Sequence, residues 1–385
     1  MDKHLNSVTK AFWYKNTQSP IIFMVDDLAN IYFHSGGKYN KGDWGGLLNS
    51  SNSLYSYLKA NFIENFPDLK FTFFLVAGER EVQSTGKYDF VSDSAASKFG
   101  KFLDELVDDG HEIAYHGNKH GVLDSVGRFI QEWSSFSSVE DACSSIKHGL
   151  SLISVSSKAK ISGGKYCGYE AGKFGHQSIV DSNFSWWFDE WDSDIDRRPY
   201  GELKDNVFYI PSNIDCSVYP IGLIQYLGRK KFYRSIIRQI KDGFIENKIK
   251  SLLKNKGIIS LQEHSSPLRT DGKTQYPNVF DDFYSIKYLL SLLSKHDVWW
   301  ATANQVAEYS RNREYTKIEM QSEESFSFTN TGDGSCSEGS SLSLIFSKNI
   351  KSVKVNNQHY GCYIKNDICM VDVIVSLTDI YYIIT

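Results

Sequence analysis

Three short clusters in this sequence carry residue types suited to hydrolytic metal chemistry: Asp26-Asp27, His116-Gly117-Asn118-Lys119-His120 and Gln262-Glu263-His264. Two histidines separated by three residues, joined by a carboxylate, can present a three-ligand face to a divalent metal and leave positions open for water and substrate. An acid beside that face, outside the ligand set, could take a proton from the water. A histidine on the opposite side could give one to a departing amine. Taken singly, each cluster has an ordinary reading. Acids that follow a strand are favoured at helix N-termini and turns, and a lone histidine pair is commonly a surface or core-edge feature. Their joint placement at predicted strand ends favours the chemistry.

The elements that must position these clusters alternate along the chain. Residues 21–25 and 70–76 are short apolar runs that read as strands buried on both faces, with helical apolar spacing between them over 47–66. A helix over 94–108 stops at Gly110 before a strand at 112–115. The alternation continues through a helix at 139–154, a strand near Ile161, a helix at 176–182, and strands at 184–188 and 207–210. Helices at 231–254, 281–294 and 304–311 then alternate with strands at 257–261 and 298–302. Such repetition argues for a parallel α/β barrel whose chemistry lies at the C-terminal ends of its strands. From Ile318 the chain changes to short apolar and polar alternations broken by Gly, Ser and Asn, which read as a small antiparallel β appendix. The expected division is a barrel over 1–314 and an appendix over 318–385, the latter docked on the barrel and holding no catalytic residue.

The run Gly110-His111-Glu112-Ile113-Ala114-Tyr115-His116 through His120 resembles the second motif of the polysaccharide deacetylase (NodB-homology, carbohydrate esterase) family. Phe23-Met24-Val25-Asp26-Asp27 resembles its first motif and Leu261-Gln262-Glu263-His264 its fifth, in the family's order over residues 20–313. The resemblance implies a distorted parallel (β/α) barrel with Asp26 as general base, Asp27, His116 and His120 as ligands of a divalent metal, usually zinc, and His264 as general acid. The third motif, an Arg followed by Pro and Tyr, falls in Gly164-Lys165-Tyr166-Cys167-Gly168-Tyr169, with Lys165 in place of the Arg and no Pro. By resemblance, the Tyr169 backbone N–H would form the oxyanion hole and Lys165 would hold Asp26 ionised. The fourth motif falls in Trp186-Trp187-Phe188-Asp189-Glu190-Trp191-Asp192, where Asp189 or Asp192 would tune His264. For Trp186, Trp187 and Trp191, barrel packing is favoured over sugar stacking. His111 reads as a structural hydrogen-bonding residue.

The activity so implied is metal-dependent removal of an acetyl or formyl group from the nitrogen of an amino sugar. Its alternatives are hydrolysis of other non-peptide amides and a non-catalytic carbohydrate-binding barrel. Gly117 stands where the family has a hydroxyl residue, and Leu28 where it has a small one, which points to a divergent pocket. The substrate expected is a small nucleotide- or lipid-linked acylamino sugar of surface polysaccharide or lipopolysaccharide biosynthesis. The Gly-rich segment 33–46 could act as a lid, with Lys38 and Lys41 available to an anionic carrier.

The 42 basic and 46 acidic residues are scattered, with a formal net charge of -4, so nucleic acid is not an expected partner. Residues 1–15 lack the apolar core of a secretory signal, and no stretch is long and apolar enough for a membrane span. The six cysteines show no CxxC spacing and read as reduced thiols. A cytoplasmic location is the resulting expectation.

Overall fold

The computed structural model describes residues 7–33, 38–40, 42–45, 51–78, 90–91, 96–216, 231–264, 277–331 and 336–385, with the backbone alone at 31–33, 90–91 and 231–242. Much of the expected lid at 33–46, including His34 and Lys41, lies outside the described residues, as do positions 47–50 of the first expected helix. The described chain divides into two compact units, one of Ile21–His296 with Trp300–Asn304, the other of Met1–Pro20, Asp297–Trp299 and Gln305–Thr385.

The first unit is built on a curled sheet of mainly parallel strands. In chain order the nine strands along its main path are β1 (Ser19–Leu28), β2 (Phe71–Leu75), β3 (Glu112–Tyr115), β4 (Gly163–Lys165), β5 (Trp186–Phe188), β6 (Glu202–Lys204), β7 (Val207–Tyr209), β8 (Ile214–Asp215) and β9 (Ile259–His264). Across the sheet they run β6-β7-β5-β4-β3-β2-β1-β9-β8. All pairings are parallel except β6 with β7. Strand β7 pairs near one end of this path and β8 at the other, although only residues 210–213 separate them. Six consecutive residues span at most roughly 18 Å, so the sheet must curl until its ends approach. Residues 211–213 hold that junction. Ser212 bridges to Trp191, while Ser260 Oγ donates to the Pro211 carbonyl at 2.6 Å and Ser260 N–H to Asn213 Oδ1 at 3.0 Å. The result is the expected distorted (β/α) barrel.

Burial explains why these short runs form strands. Ile21 to Val25, Phe71, Phe73, Phe74, Tyr115, Trp186, Trp187 and Phe188 are all at most 1% exposed, so both faces of the sheet exclude water, as in parallel sheets covered by helices. Trp186 and Trp187 are therefore packing residues. Their rings need the bare backbone beside them: a Cβ on Gly164 would come within 2.2 Å of the Tyr115 carbonyl oxygen and 2.5 Å of the Trp187 ring. Helix Ser97–Asp108 buries Phe99, Phe102, Leu103 and Leu106, the i, i+3, i+4, i+7 stripe of an amphipathic helix. Helix Val139–Ser156 starts at Ser138, whose hydroxyl accepts the Asp141 N–H, an N-cap. No helix among the described residues is long and apolar enough to cross a membrane.

The second unit holds two antiparallel sheets. One runs Val8–Lys10, Ser341–Phe346, Ile368–Ile374, Tyr363–Lys365, and the other Thr316–Ser322, Ser325–Asn330, Ile380–Ile384, Ser352–Val355, Gln358–Gly361. The apolar tail at 380–384 alternates as a half-buried strand should, with Tyr381 and Ile383 inside and Ile380, Tyr382 and Ile384 outside. The first twenty residues, which sequence patterning assigns to the barrel, group with these sheets through the pairing of Val8–Lys10 with Ser341–Phe346.

Candidate active site

Strand β1 ends in a defect that makes the site. Val25 pairs with Phe73 and Leu28 with Leu75, so Asp26 and Asp27 together face the single residue Phe74. This is a β-bulge, and Asp27 takes the left-handed conformation within it, φ 66°. Consecutive side chains of a regular strand point to opposite faces. The bulge instead places Asp26 among groups from β4 and β9 and turns Asp27 toward the histidines beyond β3.

Asp27 Oδ1 lies 3.2 Å from His120 Nε2 and 3.7 Å from His116 Nε2, and all three residues are buried. Donor atoms around one zinc ion at about 2.0–2.1 Å stand on the order of 3–4 Å from each other, so this spacing fits a single divalent ion. The orientation of His116 is fixed from behind. Its Nδ1 lies 2.9 Å from the Lys165 carbonyl, so Nδ1 carries the hydrogen and Nε2 presents its lone pair toward Asp27. Burial lowers the His116 pKa, against the opposing pull of Asp26 and Asp27, which favours the neutral ring that a metal requires. His120 stacks on Phe129 with ring centroids 6.3 Å apart. Cys167, assigned no role from sequence, has its sulfur within 4.8 Å of donor nitrogens of both histidines. Its Sγ also donates to the His116 carbonyl at 3.1 Å. The donor set thus suits a nitrogen-oxygen metal site with a thiol close by.

Asp26 is 2% exposed. Its Oδ2 accepts from Lys165 Nζ at 2.5 Å, stands 3.6 Å from His264 Nε2 and is 3.4 Å from Gln262 Nε2. The other oxygen, Oδ1, is buried without a hydrogen-bond partner among the described residues, a costly arrangement unless a further donor or cation occupies the site. Burial acts to depress the Lys165 pKa, but the Asp26 charge and Tyr169 outweigh it and hold the ammonium above its usual value. The pairing of β9 with β1 sets His264 opposite Asp26. Both the backbone N–H and Nδ1 of His264 donate to the Pro277 carbonyl, at 3.1 and 3.0 Å, so Nε2 faces the acids.

Two expected roles are corrected. The Tyr169 N–H already donates to the Tyr166 carbonyl at 3.2 Å within a tight turn, so it is not an open oxyanion donor. Tyr169 enters the site through its phenol, which donates to Gln262 Oε1, contacts Ser212 Oγ and lies beside the Lys165 ammonium. Burial pushes that phenol up to about 12 and keeps it neutral. Asp189 does not reach His264. It pairs with Arg198 at 2.7 Å, and Asp192 is held by the same guanidinium at 2.7 and 2.8 Å, by Arg197 at 2.7 Å and by the Ser212 N–H at 3.0 Å. Asp192 braces the junction at 211–213, and Pro277 orients His264 in place of either acid. Trp191 is half-buried, its ring 6.1 Å from that of Tyr169.

Asp27, His120 and Tyr169 all adopt positive φ, at 66°, 64° and 59°. Each such residue costs about 1–3 kcal/mol and persists where its surroundings over-determine it, often at functional sites.

No protein-family model matches the chain, and no curated protein matches its sequence. Solved structures similar to it include a protein assigned to the polysaccharide deacetylases from Mycobacterium smegmatis, 14% identical, covering 81% of this chain and 96% of that one with a TM-score of 0.44. A family 4 acetyl xylan esterase from Clostridium thermocellum, in complex with a cobalt ion, is 11% identical over 75% of this chain and 90% of its own, TM-score 0.35. A family 4 carbohydrate esterase pseudoenzyme from Bacillus anthracis is 9% identical over 76% and 66%, TM-score 0.34.

Proposed function

We propose that this protein is a metal-dependent hydrolase that removes an acetyl or formyl group from the nitrogen of an amino sugar. The observation that carries the reading is the convergence of Asp27, His116 and His120 on one point, with Asp26 held between Lys165 and His264 beside it. A divalent ion held by Asp27, His116 and His120, zinc by the preference of such donors, would supply Lewis acidity toward the amide carbonyl and toward a water.

The protein's own groups do the proton work. Asp26, paired with the Lys165 ammonium at 2.5 Å, takes the proton of the attacking water as the water oxygen bonds to the carbonyl carbon. The Lys165 ammonium, which has hydrogens beyond the one it gives Asp26, is the donor on that side for charge developing on oxygen. Breaking the carbon-nitrogen bond requires a proton on the departing nitrogen, and His264 delivers it from Nε2. The products are a free amino sugar and a short carboxylate.

The substrate is a small acylamino sugar carried on a nucleotide or lipid, a precursor of a surface polysaccharide, in preference to a long polymer. Leu28, buried beside the acids where the resembling enzymes have a small residue, and the exposed Lys38 support this reading. The test compares acyl release from nucleotide-linked acylamino sugars, chitin-type oligomers and small non-sugar amides at matched acyl concentration, with and without chelator. Chelator-sensitive release, fastest from the nucleotide-linked sugar, is expected. Faster release from the oligomer refutes the small-precursor substrate, preference for non-sugar amides refutes the sugar, and no release from any of them leaves a binding barrel.

A further inference from the structure

The loop from His116 to His120 is held by a residue outside the catalytic clusters. Glu132 opens the short helix Glu132–Ser135 and is 4% exposed. Its carboxylate accepts three consecutive backbone N–H groups: Asn118 at 2.9 Å to each oxygen, Lys119 at 2.8 Å and His120 at 2.9 Å. The contact is reciprocal, since the Glu132 N–H donates to the His120 carbonyl at 3.3 Å. Successive N–H groups aimed at one point form an anion-binding nest, and here the anion is built into the chain. A carboxylate in the first turn of a helix is ordinarily explained by that helix, but these oxygens bond to a different segment.

Gly117 makes room for the arrangement. It has φ 81°, and a Cβ there would stand 2.3 Å from Glu132 Oε2. Further contacts seat the parts from outside. Trp133, next to Glu132, packs against Tyr115, Tyr166 and Trp187, and the Asn118 side chain donates to the Ser145 carbonyl at 2.6 Å and hydroxyl at 2.9 Å. The two histidines stand on opposite sides of this loop, so the loop's shape sets the distance between their rings.

We propose that Glu132 is the positioning residue of the metal site, fixing the 116–120 loop so that the His120 ring meets Asp27 and His116. This rests on the reading of Asp27, His116 and His120 as the ligand set. It also accounts for Gly117, because a hydroxyl residue at that position would collide with the carboxylate that holds the loop.

Three full-length variants test it: Glu132→Gln, which keeps the volume and one acceptor oxygen; Glu132→Asp, which keeps the charge and loses reach; and Gly117→Ala, which displaces the carboxylate from the other side. Zinc dissociation constants from competition with a chromophoric chelator, and the visible absorption of the cobalt-substituted protein, are read alongside far-ultraviolet circular dichroism of the metal-free chain. A folded chain whose zinc affinity falls 10- to 100-fold, the usual effect of removing a partner that orients a ligand, with an altered cobalt spectrum, is expected. Gly117→Ala and Glu132→Asp should fall on the same side of wild type as Glu132→Gln. Folded variants with unchanged affinity and cobalt spectrum overturn the proposal. If Glu132→Gln does not fold, Glu132→Asp and Gly117→Ala decide by the same criterion. A wild-type chain that binds no zinc refutes the underlying metal site instead.

Discussion

Asp26 and Asp27 are neighbours in sequence but have different partners: Asp26 faces Lys165 and His264, Asp27 the two histidines. Replacing Asp26 with Asn should therefore remove the base and leave the ligand set in place. Turnover is expected to fall by about 10²–10⁴-fold, the usual worth of a positioned base, with zinc content by elemental analysis unchanged. Loss of the metal in Asp26→Asn would move Asp26 into the ligand set. The grouping of these residues was legible from residue types and spacing, because the two acids, the His pair and His264 sit in short local clusters. Glu132, Gln262 and Cys167 were not assigned, since their roles depend on contacts with residues far away in the chain. The expected use of Asp189 and of the Tyr169 amide failed because groups nearby in the chain take them up. One is claimed by Arg198 and the other by a local turn, and neither competitor can be weighed from a motif.

At the scale of elements, the strands carry the site only because their packing leaves no slack. Gly164→Ala would place a methyl group within 2.2 Å of the Tyr115 carbonyl and 2.5 Å of the Trp187 ring. Overpacking of this kind costs about 1–3 kcal/mol or more, measurable as a lowered midpoint in urea unfolding. His111, just before β3, makes the barrel pH-sensitive. Burial lowers its pKa to about 4, with Lys70 adding to the effect. Its ring lies among Phe71, Phe73 and Tyr55, and Nδ1 accepts the Phe71 N–H at 3.3 Å. Between the ordinary histidine value near 6.5 and that lowered value, the unfolded chain binds more protons than the folded one. Stability is thus fully present above about pH 6.5 and is lost as pH falls toward 4, by up to about 3 kcal/mol. Thermal unfolding across that window should show the loss in wild type, and a shallower dependence in His111→Phe, whose plateau is also lower because the Phe71 N–H loses its acceptor. Equal slopes in the two proteins would rule out His111 as the source. The buried strands were legible as short continuous apolar runs, and the amphipathic helices from their apolar spacing. The hairpin of Gly121–Leu123 with Phe129–Gln131 was not, because its three-residue strands are too short for alternation to register.

For the whole molecule, composition and patterning separated a βα-repeating region from an antiparallel one, but not the place of the first twenty residues, whose grouping depends on a pairing more than three hundred residues away in sequence. Every residue of the candidate site lies in the unit of Ile21–His296, so the proposed hydrolysis of an N-acyl amino sugar with one divalent ion belongs to that unit. The most direct measurement is reconstitution of chelator-stripped protein with increasing zinc, following acetate or formate release from an acylated amino sugar. Release is expected to rise linearly to a plateau at one zinc per chain, with no release at any zinc level when His116 and His120 are both replaced by alanine. Release that persists in the stripped protein, or a fully loaded wild-type chain that releases no acyl group, would contradict it.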